Sequence, residues 1–224
     1  YFNKIRYGAV ITMESPSVAM EVRPGTQRCR MNGVLFILSY PVIERNGRYL
    51  LSRTDLNKLV DPIMRPTYIH RARHFNTVVL DAGHGGKDSG SLGPYENEKV
   101  YTLKVARLAR EILQKNGYRV VMTRDSDISV SLANRVSIAN EYPDAIFISI
   151  HFNSRANGIE TFTISPVGVP HMGREVKLRD FNTVPGNIMG SASIALATAA
   201  HSRALMYLNS QSSGNNFSIE DRGI

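Results

Sequence analysis

At 224 residues, 42% hydrophobic and 21% charged, the chain can bury a proper core and holds one large domain or two small ones. No apolar run is long enough to cross a membrane. The net charge of +8, from 27 basic and 19 acidic residues, favours an anionic partner: nucleic acid, anionic lipid or an acidic envelope polymer. Nucleic acid is set aside, because no nucleic-acid-binding motif is present and the aromatics are not interleaved with basic residues. The single cysteine, Cys29, excludes an intramolecular disulfide and a cysteine-type zinc site. The chain starts at Tyr1 without a signal-peptide pattern, so it reads as processed or excised.

Residues 1–70 read as a small, mostly-β module. Short alternating segments, Tyr7 to Met13 and Ser17 to Val22, are broken by Pro16, Pro24 and Gly25. Asn32-Gly33 predicts a turn between Arg28–Met31 and Val34–Leu38, and Asn46-Gly47 another between Pro41–Glu44 and Arg48–Leu51. Ser52 is placed to cap a helix over 54–59, with Pro62 and Pro66 as stops. Residues 71–76 form a linker containing Arg71, Arg73 and His74, and 77–224 form the second domain.

Thr77 to Leu80 is a β-branched, apolar run that suits a strand covered on both faces, as in a parallel sheet with helices on either side. A loop dense in glycine follows, with Gly83, Gly85, Gly86, Gly90 and Gly93, and His84 stands among them just past the strand's C-terminal end. Glu98 opens a helix that runs to about Asn116, with Val105, Leu108, Ala109 and Ile112 as its apolar stripe and Gly117 as its stop. Tyr118 to Thr123 is the next strand, in βαβ order. Thr123, Arg124, Asp125 and Asp127 make a loop that touches substrate or is ordered by an Arg–Asp pair. Ser131 to Asn140 is a second helix, with Leu132, Val136 and Ala139 inward.

The strand 145–150 delivers His151 at its C-terminal end. His84 and Glu98 are two potential zinc ligands, and a catalytic zinc site takes three protein ligands with one position kept for water, so His151 is the candidate third. Asn153 hydrogen-bonds substrate, orients a ligand or caps the turn. Gly158 to Ile164 reads as a further strand, in which Glu160 orients a ligand or makes a structural hydrogen bond. Residues 165–190, rich in Gly and Pro, read as a long loop with His171 at the surface, and Ser191 to Leu208 as a helix whose His201 is satisfied or exposed. The fold class is therefore α/β: a central, mostly parallel sheet flanked by helices, preceded by the small mostly-β module.

DAGHGGKDSG at 81–90, NEK at 97–99, TRDSD at 123–127, SLANR at 131–135, ISIHFN at 148–153, GIETF at 158–162 and DRGI at 221–224 together resemble the zinc-dependent N-acetylmuramoyl-L-alanine amidases. The match in order and spacing runs from Val78 to the end. NGV at 32–34, NGRYLLSRTDL at 46–56 and DP at 61–62 are similar to the N-terminal stalk module named after copper amine oxidases, here without a copper ligand cluster.

The first resemblance implies Zn2+ held by His84, Glu98 and His151, and hydrolysis of the amide joining N-acetylmuramic acid to L-alanine in peptidoglycan. It also implies a periplasmic or extracellular location, an activator protein acting through the 165–190 segment in some members, and a general-base glutamate on a strand after DRG. That glutamate would lie beyond Ile224, which makes the catalytic domain C-terminally incomplete as given; Glu220 precedes the motif and is not a substitute. Two other classes remain open: a different zinc peptidase of similar fold, and a non-catalytic peptidoglycan-binding protein with a relict zinc site.

Overall fold

Two Asn-Gly pairs shape the N-terminal residues. Asn32 and Gly33 (φ 50° and 85°) and Asn46 and Gly47 (φ 53° and 68°) have the left-handed conformations that a two-residue hairpin loop requires. A computed structural model describes residues 2–69, 74–154, 157–169, 177–212 and 218–224. His70, Arg71, Arg73 and His171 lie outside the described residues. The contacts gather into two units, one of residues 1–72 with 157–224, the other of 73–156.

In the first unit, β1 (Lys4–Arg6), β2 (Ile11–Glu14), β3 (Ala19–Val22), β4 (Arg28–Met31) and β5 (Val34–Ile37) form one antiparallel sheet in chain order. Alternation puts Met20, Val22, Cys29, Met31 and Phe36 on the buried face. A separate hairpin follows, β6 (Ile43–Arg45) and β7 (Arg48–Leu50). Ser52 caps the next helix as expected, its Oγ accepting from the Asp55 amide at 2.9 Å. That helix continues past its predicted end: α1 (Arg53–Asp55), a π turn (Leu56–Val60) and α2 (Asp61–Met64) run on. Pro62 does not stop it: it stands directly after the π turn, at the second residue of α2, where the hydrogen bonding passes from the i→i+5 bond of Asp61 N–H to Leu56 O to the i→i+4 bond of Arg65 N–H to Asp61 O.

Cys29 is buried in this sheet at 1% exposure, and burial, with the charges of Asp55 and Glu21, pushes its thiol up to about 12. Iodoacetamide at pH 8 is expected to leave Cys29 unlabelled in the native protein and to label it fully in denaturant. Labelling of the native protein at the rate of a free thiol would place Cys29 outside the core.

The same unit contains β11 (Ile159–Glu160), α5 (Pro185–Ile188), α6 (Gly190–Ser212) and β12 (Asp221–Gly223). β12 pairs parallel with β11, and Ile224 exchanges backbone hydrogen bonds with β5 through Leu35 (3.1 Å) and Ile37 (3.0 Å). The strand predicted over 158–164 is thus cut to two residues, because its partner is short and the register shifts between Ile159 and Glu160. The described part of 165–190 is not structureless: it holds a 3-10 turn (Leu178–Phe181) and α5. On α6, Ile194 and His201 are buried. His201 is satisfied on both sides, Nδ1 by Thr161 Oγ1 at 2.9 Å and Nε2 by Asp221 Oδ1 at 3.1 Å.

The second unit is the βαβ core. β8 (Thr77–Ala82) lies between β10 (Ile146–Ile150) and β9 (Arg119–Met122), all parallel, with α3 (Glu98–Lys115) crossing from β8 to β9 and α4 (Leu132–Asn140) preceding β10. Val78, Val79 and Leu80 on β8 are buried, as their apolar run required. Both helices turn differently from the periodicity reading. Within this unit α3 buries Thr102 and Ala106, while Val105, Leu108 and Ile112 are exposed. On α4, Leu132 and Val136 are exposed and Arg135 is buried. A polar anchor sets each rotation: Thr102 Oγ1 donates to Gly83 O at 2.8 Å, and Arg135 pairs with buried Asp81.

Candidate metal centre

At the C-terminal edge of this parallel sheet, β8 ends in the glycine loop and β10 ends at His151. The loop brings His84 round at φ 61°, a left-handed conformation rare for a residue with a Cβ. Two guanidinium groups hold it there through backbone carbonyls. Arg124 donates to Ala82 O (2.8 Å), Gly83 O (2.8 Å) and Lys99 O (2.9 Å). Arg135 donates to Ala82 O (2.8 Å) and His84 O (2.7 Å). Further out, Lys99 bridges Gly86 O and Asp127, and Asp127 accepts from the Gly86 amide at 2.7 Å. The Arg–Asp pairing expected at 124–127 is therefore replaced by a Lys99–Asp127 pair and by arginine donors spent on carbonyls.

Three side chains converge. His151 Nδ1 lies 3.0 Å from Glu98 Oε1 and 3.2 Å from His84 Nε2, and His84 Nε2 lies 3.2 Å from Glu98 Oε2. Two ligands of one tetrahedral zinc, each about 2.0 Å from the ion, stand roughly 3.3 Å apart. His84 Nδ1 donates to Asp88 Oδ2 at 2.9 Å, which leaves the Nε2 lone pair facing the centre. Among the described residues this is the one group of three or more His, Cys, Asp or Glu side chains that could hold a metal.

Glu98 is buried at the first position of α3. Burial alone would raise its carboxyl. The amides of Ser91 and Phe152, each at 2.8 Å, and the two imidazoles outweigh that and hold it below the usual carboxylate range. The carboxylate is thus ionised at neutral pH. Two glycines are required by proximity: a Cβ on Gly83 would stand 2.4 Å from His151 Cε1, and one on Gly90 2.6 Å from both Glu98 Oε2 and His84 Cδ2.

The chain's reading singled out His84, Glu98 and His151, and these are the three brought together. Asn153 is exposed and makes no hydrogen bond among the described residues. Glu160 lies in the other unit, ion-paired with Arg222 at 3.2 Å. Asp88 and Asp81 were not singled out. The available signal for Asp88 was a carboxylate four residues after a histidine inside a glycine loop. For Asp81 it was a charged residue ending a buried strand.

With this geometry in hand, the family can be stated. A family model described as N-acetylmuramoyl-L-alanine amidase matches residues 78–223, and the chain belongs to that family. It is 38% identical over 126 residues to the N-acetylmuramoyl-L-alanine amidase AmiC of Escherichia coli, covering 52% of this chain and 30% of that protein. It is 46% identical over 89 residues to the probable cell wall amidase LytH of Staphylococcus saprophyticus, covering 37% and 29%. The catalytic domain of the amidase CwlV from Bacillus (Paenibacillus) polymyxa is similar at 38% identity, with a TM-score of 0.36 over 38% of this chain and 51% of that one. The chain spans between 25% and 38% of the length of the first curated relatives it matches.

Proposed function

We propose that this chain carries the zinc-binding core of an amidase that cleaves the bond between N-acetylmuramic acid and L-alanine in peptidoglycan, in the cell envelope outside the cytoplasm. The observation that carries the reading is the convergence of His84, Glu98 and His151, one ligand atom from each lying within 4.8 Å of the others, with Asp88 fixing the His84 tautomer.

His84, Glu98 and His151 would hold the metal. Zinc bound there supplies Lewis-acid polarisation of the scissile carbonyl and acidifies a water molecule. The chain's own residues prepare that chemistry. Two neutral imidazoles and one carboxylate leave a net positive centre. Asp88 keeps His84 in the ligating tautomer. The Ser91 and Phe152 amides hold the Glu98 carboxylate in place by both oxygens. Arg124 fastens the loop before His84 and the backbone after Glu98 with one guanidinium, so the distance between the two ligands is fixed before substrate arrives.

The test is zinc per chain by elemental analysis, together with mass spectrometry of purified muropeptides incubated with the protein. About one zinc and release of peptides with a free L-alanine amino terminus are expected. A zinc-loaded protein that leaves muropeptides intact would end the enzyme reading in favour of wall binding, and cleavage within the stem peptide would indicate a peptidase.

A further inference from the structure

The positive charge is not spread along the chain. Residues 1–72 hold eleven of the 27 lysines and arginines and five of the 19 acidic residues, a net +6 of the total +8. Some of these cations are engaged: Arg6 with Glu14, Arg30 with Asp221 and Arg65 with Asp61. The two at the tip of the β6–β7 hairpin are not.

The Asn46-Gly47 turn allows only two residues in the loop, so Arg45 and Arg48 are direct cross-strand partners. Their side chains leave the same face of the ribbon, with Cβ atoms about 5.5 Å apart. Both are exposed, and neither has a hydrogen-bond or ion-pair partner among the described residues. Like charges directly opposite each other weaken a hairpin. Here nothing within the described residues offsets the repulsion. One step down the ribbon, Ile43 and Leu50 form the next pair on this face, 50% and 42% exposed. The opposite face carries Glu44 and Tyr49, and Tyr7 stacks on Tyr49 there at 6.0 Å between ring centroids. The ribbon is thus braced on one side and open, cationic and partly apolar on the other.

We propose that the Arg45–Arg48 tip is a docking site for a phosphodiester-linked anionic polymer of the cell wall. Two facing guanidinium forks match one phosphodiester, whose two free oxygens point to opposite sides and keep a full charge at any pH at which the protein is folded. Ile43 and Leu50 then pack against the polyol or sugar between phosphates. Such a site holds an enzyme beside an insoluble substrate and lets it move, because exposed charge pairs form and break readily. That the polymer belongs to the wall rests on the envelope location in the proposed function; the phosphate grip does not.

The experiment is co-sedimentation of the full chain with purified walls that carry a glycerol-phosphate polymer, compared with the same walls stripped by hydrofluoric acid, which cleaves phosphodiesters and leaves peptidoglycan. The Arg45→Gln/Arg48→Gln variant is compared with Arg23→Gln/Arg28→Gln, which removes the same charge from exposed residues elsewhere in the module. Binding to intact walls should weaken about tenfold or more in the tip variant, less than threefold in the control, and fall steeply with added salt. Stripping should weaken the parent as the tip variant does.

The tip variant should also melt no lower than the parent, because it relieves a like-charge pair. Equal binding by tip variant and parent overturns the proposal. So does full binding to stripped walls, which would make peptidoglycan the ligand, or tighter binding to phosphatidylglycerol vesicles than to walls. Zinc content and muropeptide cleavage are read on the same samples: a protein without zinc that still binds walls through the two arginines would sink the amidase reading and leave the docking site standing.

Discussion

A His151→Ala variant is expected to lose its zinc while keeping its fold, and a Glu98→Gln variant to lose both zinc and stability. The difference follows from what each side chain touches. The His151 side chain is 51% exposed, and its Nδ1 faces only the other two residues of the proposed metal site, so its removal deletes a proposed ligand and little else. Glu98 is a different case. Its two oxygens separately accept the amides of Ser91 and Phe152, and its side chain is 4% exposed. A glutamine has one carbonyl oxygen and one NH2, so one part-buried amide would then face a donor, as would the buried side-chain NH2 itself. A buried donor left without a partner costs about 1–3 kcal/mol, and this penalty falls on the metal-free protein.

Zinc titrations followed by thermal denaturation check both. The parent should be stabilised by zinc, by about 2.7 kcal/mol at a hundredfold excess over Kd, and His151→Ala by none. Asp88→Asn should weaken zinc binding about 10–100-fold without abolishing it, because it orients a ligand and is not one. If His151→Ala kept one zinc per chain, the ligand set would be wrong.

Asp81→Asn is expected to destabilise the protein by about 3–5 kcal/mol at pH 7, a large part of the roughly 5–15 kcal/mol that holds a typical domain together. Asp81 joins four elements. It accepts from Thr123 beyond β9 at 2.6 Å, from Ser149 on β10 at 2.6 Å and from Arg135 on α4 at 2.5 Å, and it is itself on β8. Asparagine keeps the shape and leaves the Arg135 guanidinium buried without its counter-charge. Burial alone would raise the Asp81 carboxyl, but the hydroxyls of Ser149 and Thr123 and the Arg135 charge more than offset it, so its pKa lies below the ordinary value.

The sign of the pH dependence follows. A carboxylate depressed in the folded state stabilises it fully above its unfolded pKa of about 3.9, and that contribution is lost as pH falls through the folded value. Urea denaturation should therefore show the full gap between parent and Asp81→Asn at pH 7, narrowing as the pH is lowered below about 4. A gap independent of pH would mean that the loss is one of packing rather than of charge.

Local chemistry alone determined a good deal of this molecule. Asn-Gly pairs admit only the tight hairpins seen at 32–33 and 46–47, because few other residues take two consecutive positive φ angles. The apolar run 77–80 had to be a strand buried on both faces; His84 declared itself among glycines past a strand end, and Glu98 and His151 by standing at a helix start and a strand end.

Only the tertiary structure decided which way the helices turn and what holds the loop. The apolar stripe on α3 and the pair Leu132 and Val136 on α4 predicted the wrong faces, because burial of Thr102 and Arg135 follows from partners far away in sequence, Gly83 and Asp81. Periodicity counts apolar side chains and cannot see that a buried guanidinium, once its donors meet carbonyls and a carboxylate, is as well placed inside as a leucine. For the same reason the sequence signals at Asp88 and Asp81 could not be turned into roles, nor could the carbonyl-binding role of Arg124. Each acts through a hydrogen bond whose second partner the folded chain alone brings within 3 Å.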